Sequence, residues 1–179
     1  MKAIILLFFY STLIFSWSID DYLTDCWGNE CRDNVDFLQK MPIIENDENK
    51  YVHISYKTLR NGLITFGPVI PFEGIRYCML YVENGKTIKD CQQTRIFNRN
   101  SFDSNNCIFS SSYYKGNDYQ LESRLGRIPV QINFDNDYFY GYLDKYTNCV
   151  YFPDVYDYKP HIISLDKIEK YISYLYCKT

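Results

Sequence analysis

The chain is a succession of short apolar runs separated by polar turn signals. Tyr51 to Tyr56 alternates apolar and polar residues, as a strand with one wet face does. Asn61-Gly62 marks a turn before the apolar Leu63 to Phe66, and Pro68 to Pro71 with Glu73-Gly74 reads as a connection. Ile75 to Val82 is strand-like, and Glu83-Asn84-Gly85-Lys86 carries the Asn-Gly hairpin signal. Cys107 to Tyr114, Ile128 to Phe134, Tyr138 to Leu143 and Cys149 to Phe152 are further strands, with Asp135-Asn136-Asp137 as a turn between two of them.

Two segments follow a different period. Asp33 to Leu38 allows a helical turn or two before Pro42 ends it. Near the C-terminus Ser164 can cap a helix with Asp166 in its first turn, and Leu165, Ile168, Ile172, Leu175 and Tyr176 fall on one helical face. The pattern therefore predicts a mainly β fold, a single compact disulfide-bonded β-sandwich or prism-like domain with one C-terminal amphipathic helix.

Residues 1–18 are set apart from this pattern. Met1-Lys2 is positive, Ala3 to Phe15 is almost wholly apolar, and Ser16-Trp17-Ser18 offers small residues for cleavage after Ser18. That is the form of a secretory signal. The expected product, residues 19–179, is one secreted, extracellular β-rich domain with no membrane span. Two degenerate repeats, about 28–99 and 100–177, are suggested by an echo between Pro71 to Tyr81 and the segments Tyr138 to Gly141 and Tyr146 to Tyr151. Cys107-Ile108-Phe109 is a third copy of the short element around Cys78 and Cys149.

Composition narrows the function classes. The chain has 179 residues, 46% hydrophobic and 18% aromatic, which is too apolar for disorder. A net charge of −3 supplies no basic field for nucleic acid. All seven cysteines (Cys26, Cys31, Cys78, Cys91, Cys107, Cys149 and Cys177) follow the leader, so in an oxidising compartment they are disulfide candidates with one left over. The odd thiol points either to a disulfide-linked dimer or to a buried free cysteine. Spacing does not decide the pairing. Neither histidine, His53 or His161, stands in a metal-ligand pattern with these cysteines, so no metal and no cofactor is expected.

No nucleophile elbow, phosphate loop or zinc-protease motif occurs. The pairs Asp135/Asp137 and Asp154/Asp157 keep open a hydrolase with an unrecognised carboxylate pair. An EF-hand beginning at Asp135 fails at Phe139, Tyr140 and Tyr146. What stands out is tyrosine, 19 in all, including Tyr113, Tyr114, Tyr138, Tyr140, Tyr142, Tyr146, Tyr151, Tyr156 and Tyr158. Tyrosine joins a flat apolar face to a hydroxyl and suits binding surfaces. The alternative is that an AT-rich coding bias supplies tyrosine to fill sheet positions.

Gly62-Leu63-Ile64, Phe66-Gly67-Pro68-Val69-Ile70-Pro71, Gly74, Tyr77 and Gly85-Lys86 together resemble the core of the DM-nine repeat. The likeness covers Tyr51 to Lys86 and fades to Gly126-Arg127-Ile128-Pro129-Val130 and Cys149-Val150-Tyr151 in the second half. It implies tandem β-rich sugar-binding modules. The lysine with which that family contacts sugar would fall on Pro68, and on Val130 or Gln131; its acidic partner would fall on Asp47, and less well on Asp135 or Asp137.

The leading expectation is thus a secreted, non-enzymatic, lectin-like protein that binds carbohydrate through Asp47, Asp135, Asp137, Tyr140 and Tyr142. The alternative is an immune-modulating protein that captures a host or partner protein, since the format resembles the small secreted β-sandwiches of large DNA viruses. A hydrolase comes third.

Overall fold

In a computed structural model, residues 23–25, 54–72, 76–92, 95–97, 107–111, 126–134 and 137–177 are described. The leader, the expected Asp33–Leu38 helix, Asp47, Asp135, Cys26 and Cys31 lie outside them. The described residues include twelve strands: β1 Leu23–Asp25, β2 Ile54–Thr58, β3 Ile64–Phe72, β4 Arg76–Glu83, β5 Lys86–Asp90, β6 Arg95–Phe97, β7 Cys107–Ser110, β8 Arg127–Phe134, β9 Asp137–Asp144, β10 Cys149–Pro153, β11 Pro160–Ser164 and β12 Ile172–Cys177. Among the described residues there is one short helix, α1 Leu165–Ile168, which runs into a 3-10 turn over Glu169–Tyr171. The fold is mainly β, with all strand pairs antiparallel.

The strands form two six-stranded sheets, ordered β1-β6-β2-β3-β4-β5 and β11-β10-β9-β8-β12-β7. Read from the other edge, the second order is β7-β12-β8-β9-β10-β11, so it repeats the first strand for strand. The registers repeat as well. Gly67 pairs with Ser55, and Ser55 with Ile96; Gly141 pairs with Val130, and Val130 with Tyr174. Both glycines are places of close approach. A Cβ on Gly67 would lie 1.8 Å from the Leu80 carbonyl oxygen, and one on Gly141 would lie 2.0 Å from that of Tyr151. Leu80 and Tyr151 are thus equivalent, and so are Cys78 and Cys149. The glycine matched to Gly141 is Gly67, however, and the Cys107 segment belongs to edge strand β7.

The sheets pack face to face. Their shared core holds Ile54, Tyr56 and Phe66 from the first sheet against Cys107, Tyr140, Tyr142 and Leu175 from the second. A second core covers the opposite face of the second sheet, where Ile128, Val130, Ile132, Leu143, Val150, Phe152, Tyr174 and Tyr176 meet Ile168. Arg127, only 6% exposed, joins the sheets. It donates to the Ile64 carbonyl at 3.3 Å and to Glu83 at 3.2 Å, lies 3.8 Å from Asp144, and covers the Tyr142 ring at 4.4 Å.

Three sequence expectations change. The C-terminal helix is only four residues long, and Ile172–Cys177 is a strand. The apolar positions satisfy both periods: Ile172, Tyr174 and Tyr176 alternate into one core while Leu175 enters the other, and β-branched and aromatic residues favour the strand. Pro68–Pro71 is not a connection but part of β3. That strand pairs with β2 up to Pro68 and with β4 from Val69, so the proline falls where pairing passes between neighbours. Strands β5 and β11 carried too little alternation to be anticipated.

Cys78 and Cys91 form a disulfide with Cα atoms 4.0 Å apart. Cys107 is disulfide-bonded as well, and the register sets its Cα opposite that of Cys177. Among the described residues the free cysteine is Cys149, which is half-buried. Its partner across the ladder is Ser164, at the place that Cys91 takes opposite Cys78. Across the repeated strand order, Cys149 thus stands at the disulfide position of Cys78, with serine in place of the second cysteine.

Candidate binding surface

The two halves differ at the hairpin between their last two sheet neighbours, β4–β5 and β10–β11. In the first, β4 and β5 are joined by Asn84-Gly85 between paired Glu83 and Lys86. Both turn residues have positive φ, 51° and 72°, as a tight hairpin requires. In the second, Pro153 pairs with Pro160 and the connection is the six-residue Asp154–Lys159. Insertions in one copy of a repeated unit tend to lie on the binding face.

Local chemistry orders this loop. The Asp154 carboxylate accepts the backbone N–H groups of Tyr156 at 2.7 Å and Asp157 at 3.4 Å. Asp157 accepts the N–H of Lys159 at 3.0 Å and pairs with its ammonium. The Asp154 N–H closes the loop on the Lys159 carbonyl at 2.9 Å. These are the side-chain-to-backbone bonds through which aspartate favours turns. Hydrogen bonding from Lys159 holds the Asp157 carboxyl below its ordinary value and raises Lys159 in turn. Asp157 therefore stays anionic and is unsuited to act as a proton donor.

The ordered loop holds its tyrosines outward. Tyr156 is 82% exposed and Tyr158 46%. Tyr158 has φ 58°, a left-handed conformation that is unfavourable for a bulky residue. Lys89 of the neighbouring sheet stands 5.9 Å from its ring centroid. Below the loop, the His161 ring stacks on Phe152 at 4.8 Å and 11°. Asp144 repeats the capping device at the other end of β10, accepting from Tyr146 at 2.9 Å and Thr147 at 3.2 Å, and Tyr146 is also 82% exposed.

The expected site residues do not gather there. Tyr140 and Tyr142 are 2% and 1% exposed, so neither can stack on a ligand from solvent. Strand alternation turns both into the shared core, where Gln131 donates to the Tyr140 hydroxyl at 2.6 Å and Tyr142 donates to the Val82 carbonyl at 2.8 Å. Burial, chiefly, pushes both phenols well above their ordinary value. Asp137 is exposed at the start of β9, opposite Phe134. Pro68, Val130 and Gln131, where the resemblance would set a sugar-contacting lysine, are all buried. Among the described residues no three His, Cys, Asp or Glu side chains are grouped to hold a metal ion.

The Tyr156/Tyr158 pair was visible as residue types. A chain reading lacks the loop's outward presentation, which comes from Asp154 capping and from hairpin length.

No family model matches the chain, and no curated protein does. Among solved structures, the nematode sperm cell motility protein MFP2B superposes with a TM-score of 0.51 at 16% identity, over 74% of this chain. This chain spans only 38% of the length of that protein. At such identity the likeness is one of fold. No described helix is long and apolar enough to cross a membrane.

Proposed function

We propose that this chain is an extracellular, non-enzymatic binding protein that recognises carbohydrate through the Asp154–Lys159 loop. The observation that carries this reading is the exposed Tyr156 and strained Tyr158 on a loop that only one of the two repeated halves possesses. Tyrosine faces suit stacking on sugar rings, and the flanking carboxylates suit sugar hydroxyls. The secretory leader pattern and the Cys78–Cys91 disulfide support the compartment, and the DM-nine resemblance supports the ligand class, although its lysine positions are buried here.

The test is a glycan array probed with the full chain and with Tyr156→Ala/Tyr158→Ala. Saturable binding to one sugar class, reduced about tenfold or more in the variant and retained in high salt, is expected. Capture of a protein partner is the second reading, favoured by exposed Ile88 and Ile162 on edge strands β5 and β11. A blank array together with salt-sensitive pull-down of a protein through the same tyrosines would replace the first reading by the second.

A further inference from the structure

We infer that β11 is a homodimerisation edge, on which a second copy of this chain pairs antiparallel about Ile162. β11 ends the order of its sheet, and its hydrogen-bonding phase is set at both ends. The Leu165 N–H reaches the Asn148 carbonyl at 3.0 Å, and the Asp154 N–H reaches the Lys159 carbonyl at 2.9 Å. Between them every second residue bonds inward to β10, which assigns His161 and Ile163 to β10. The backbone groups of Pro160, Ile162 and Ser164 point away from the sheet. An outward-facing edge of this kind is a template for another strand.

The pattern is complementary to itself. With Ile162 opposite Ile162 of the second copy, each donates its N–H to the other's carbonyl. Ser164 then donates to the carbonyl of Pro160 of the second copy, and proline is needed there only as an acceptor. Residues 160–164 contain no Asp, Glu, Lys or Arg, so two copies meet without repulsion between such charges. Ile162 is 47% exposed.

The duplicated half supplies the contrast. Strand β5 is the equivalent edge, where Lys89 pairs with Leu80 as Ile162 pairs with Tyr151. Asp90 likewise corresponds to Ile163. Charged residues, lysine above all, protect exposed edges from pairing. Strand β5 keeps Lys89 at this edge position, where β11 has the exposed Ile162; Asp90 is ion-paired with Lys57 and Ile163 packs into the core, so the contrast rests on Lys89 against Ile162. The dimer does not depend on the sugar reading. Where both hold, the two Asp154–Lys159 loops sit at opposite ends of the joined strands, about 20 Å apart, and a repeating ligand gains avidity.

A five-residue edge is small, so the expected association is weak. Sedimentation of the full chain, with disulfides formed, from about 10 µM to about 1 mM should show a monomer growing into a dimer. Ile162→Lys, which restores the lysine of the equivalent edge, should stay monomeric over that range with an unchanged unfolding midpoint. Amide exchange at Ile162 and Ser164 should slow as wild-type concentration rises, and that measurement decides the matter if the variant does not fold. A wild type that stays monomeric at the top of the range overturns the inference. So does a dimer that survives Ile162→Lys without slowed exchange at these amides. Loss of glycan binding with dimerisation intact would count against the sugar proposal alone.

Discussion

Replacing Ser164 by cysteine should close a disulfide with Cys149. The register places Ser164 opposite Cys149, and the neighbouring bond from Leu165 N–H to Asn148 carbonyl makes Cys149/Ser164 a non-hydrogen-bonded pair. In antiparallel ladders such pairs bring Cα atoms to about 4.5 Å, within the reach of a disulfide. The equivalent Cys78 and Cys91 are bridged in this protein at a Cα separation of 4.0 Å. Closing a loop of about 15 residues is worth about 3 kcal/mol through loss of unfolded-state entropy. Ser164 also donates to the Asp166 carboxylate at an exposed site, and losing that bond costs about 1 kcal/mol. The net gain of about 2 kcal/mol corresponds to a rise in Tm of about 4–8 °C for a chain of this size. Thiol labelling under denaturing conditions should find the Cys149 thiol of the wild type reactive and that of Ser164→Cys blocked until reduction. Thermal unfolding before and after selective reduction gives the stability change. A variant that retains both thiols after oxidation, or forms the bond without gaining stability, would refute the equivalence of the two ladder positions.

Other consequences follow from the same contacts. Arg127→Met leaves Glu83 and Asp144 without their buried guanidinium and should lower stability by about 3 kcal/mol, read from the urea midpoint. Because burial raises the Tyr140 and Tyr142 phenols in the folded state, stability should be level up to about pH 10 and fall above it, where unfolded tyrosines ionise first. Urea midpoints from pH 8 to 11, followed beside phenolate absorbance, check that sign; a midpoint that rises with pH contradicts it. Tyr158→Gly relieves the positive φ and should stabilise the fold by about 1 kcal/mol, while weakening glycan binding. Equal loss of both would show that Tyr158 serves structure alone.

The chain alone made the class legible. Alternation in Val130–Phe134 reports a strand, because successive side chains in a strand must part to opposite sides. The Asn84-Gly85 turn was equally plain, since a two-residue hairpin demands residues that tolerate positive φ. The C-terminal segment was not, because Ile172, Leu175 and Tyr176 fit a helical stripe as well as they fit a strand buried on both faces. Only the presence of a core on either side of the second sheet chose between them.

The site divides in the same way. Tyrosine and aspartate content raised the expectation of a binding chemistry, yet the sequence could not separate Tyr140 and Tyr142, which fill the core, from Tyr156 and Tyr158, which face solvent. Composition and spacing are local properties and belong to the sequence. Exposure depends on which face of a strand meets the other sheet, and the orphaned Cys149 became intelligible only when registers distant in the chain were laid side by side. Those facts arise from long-range pairing, and the tertiary structure decided them.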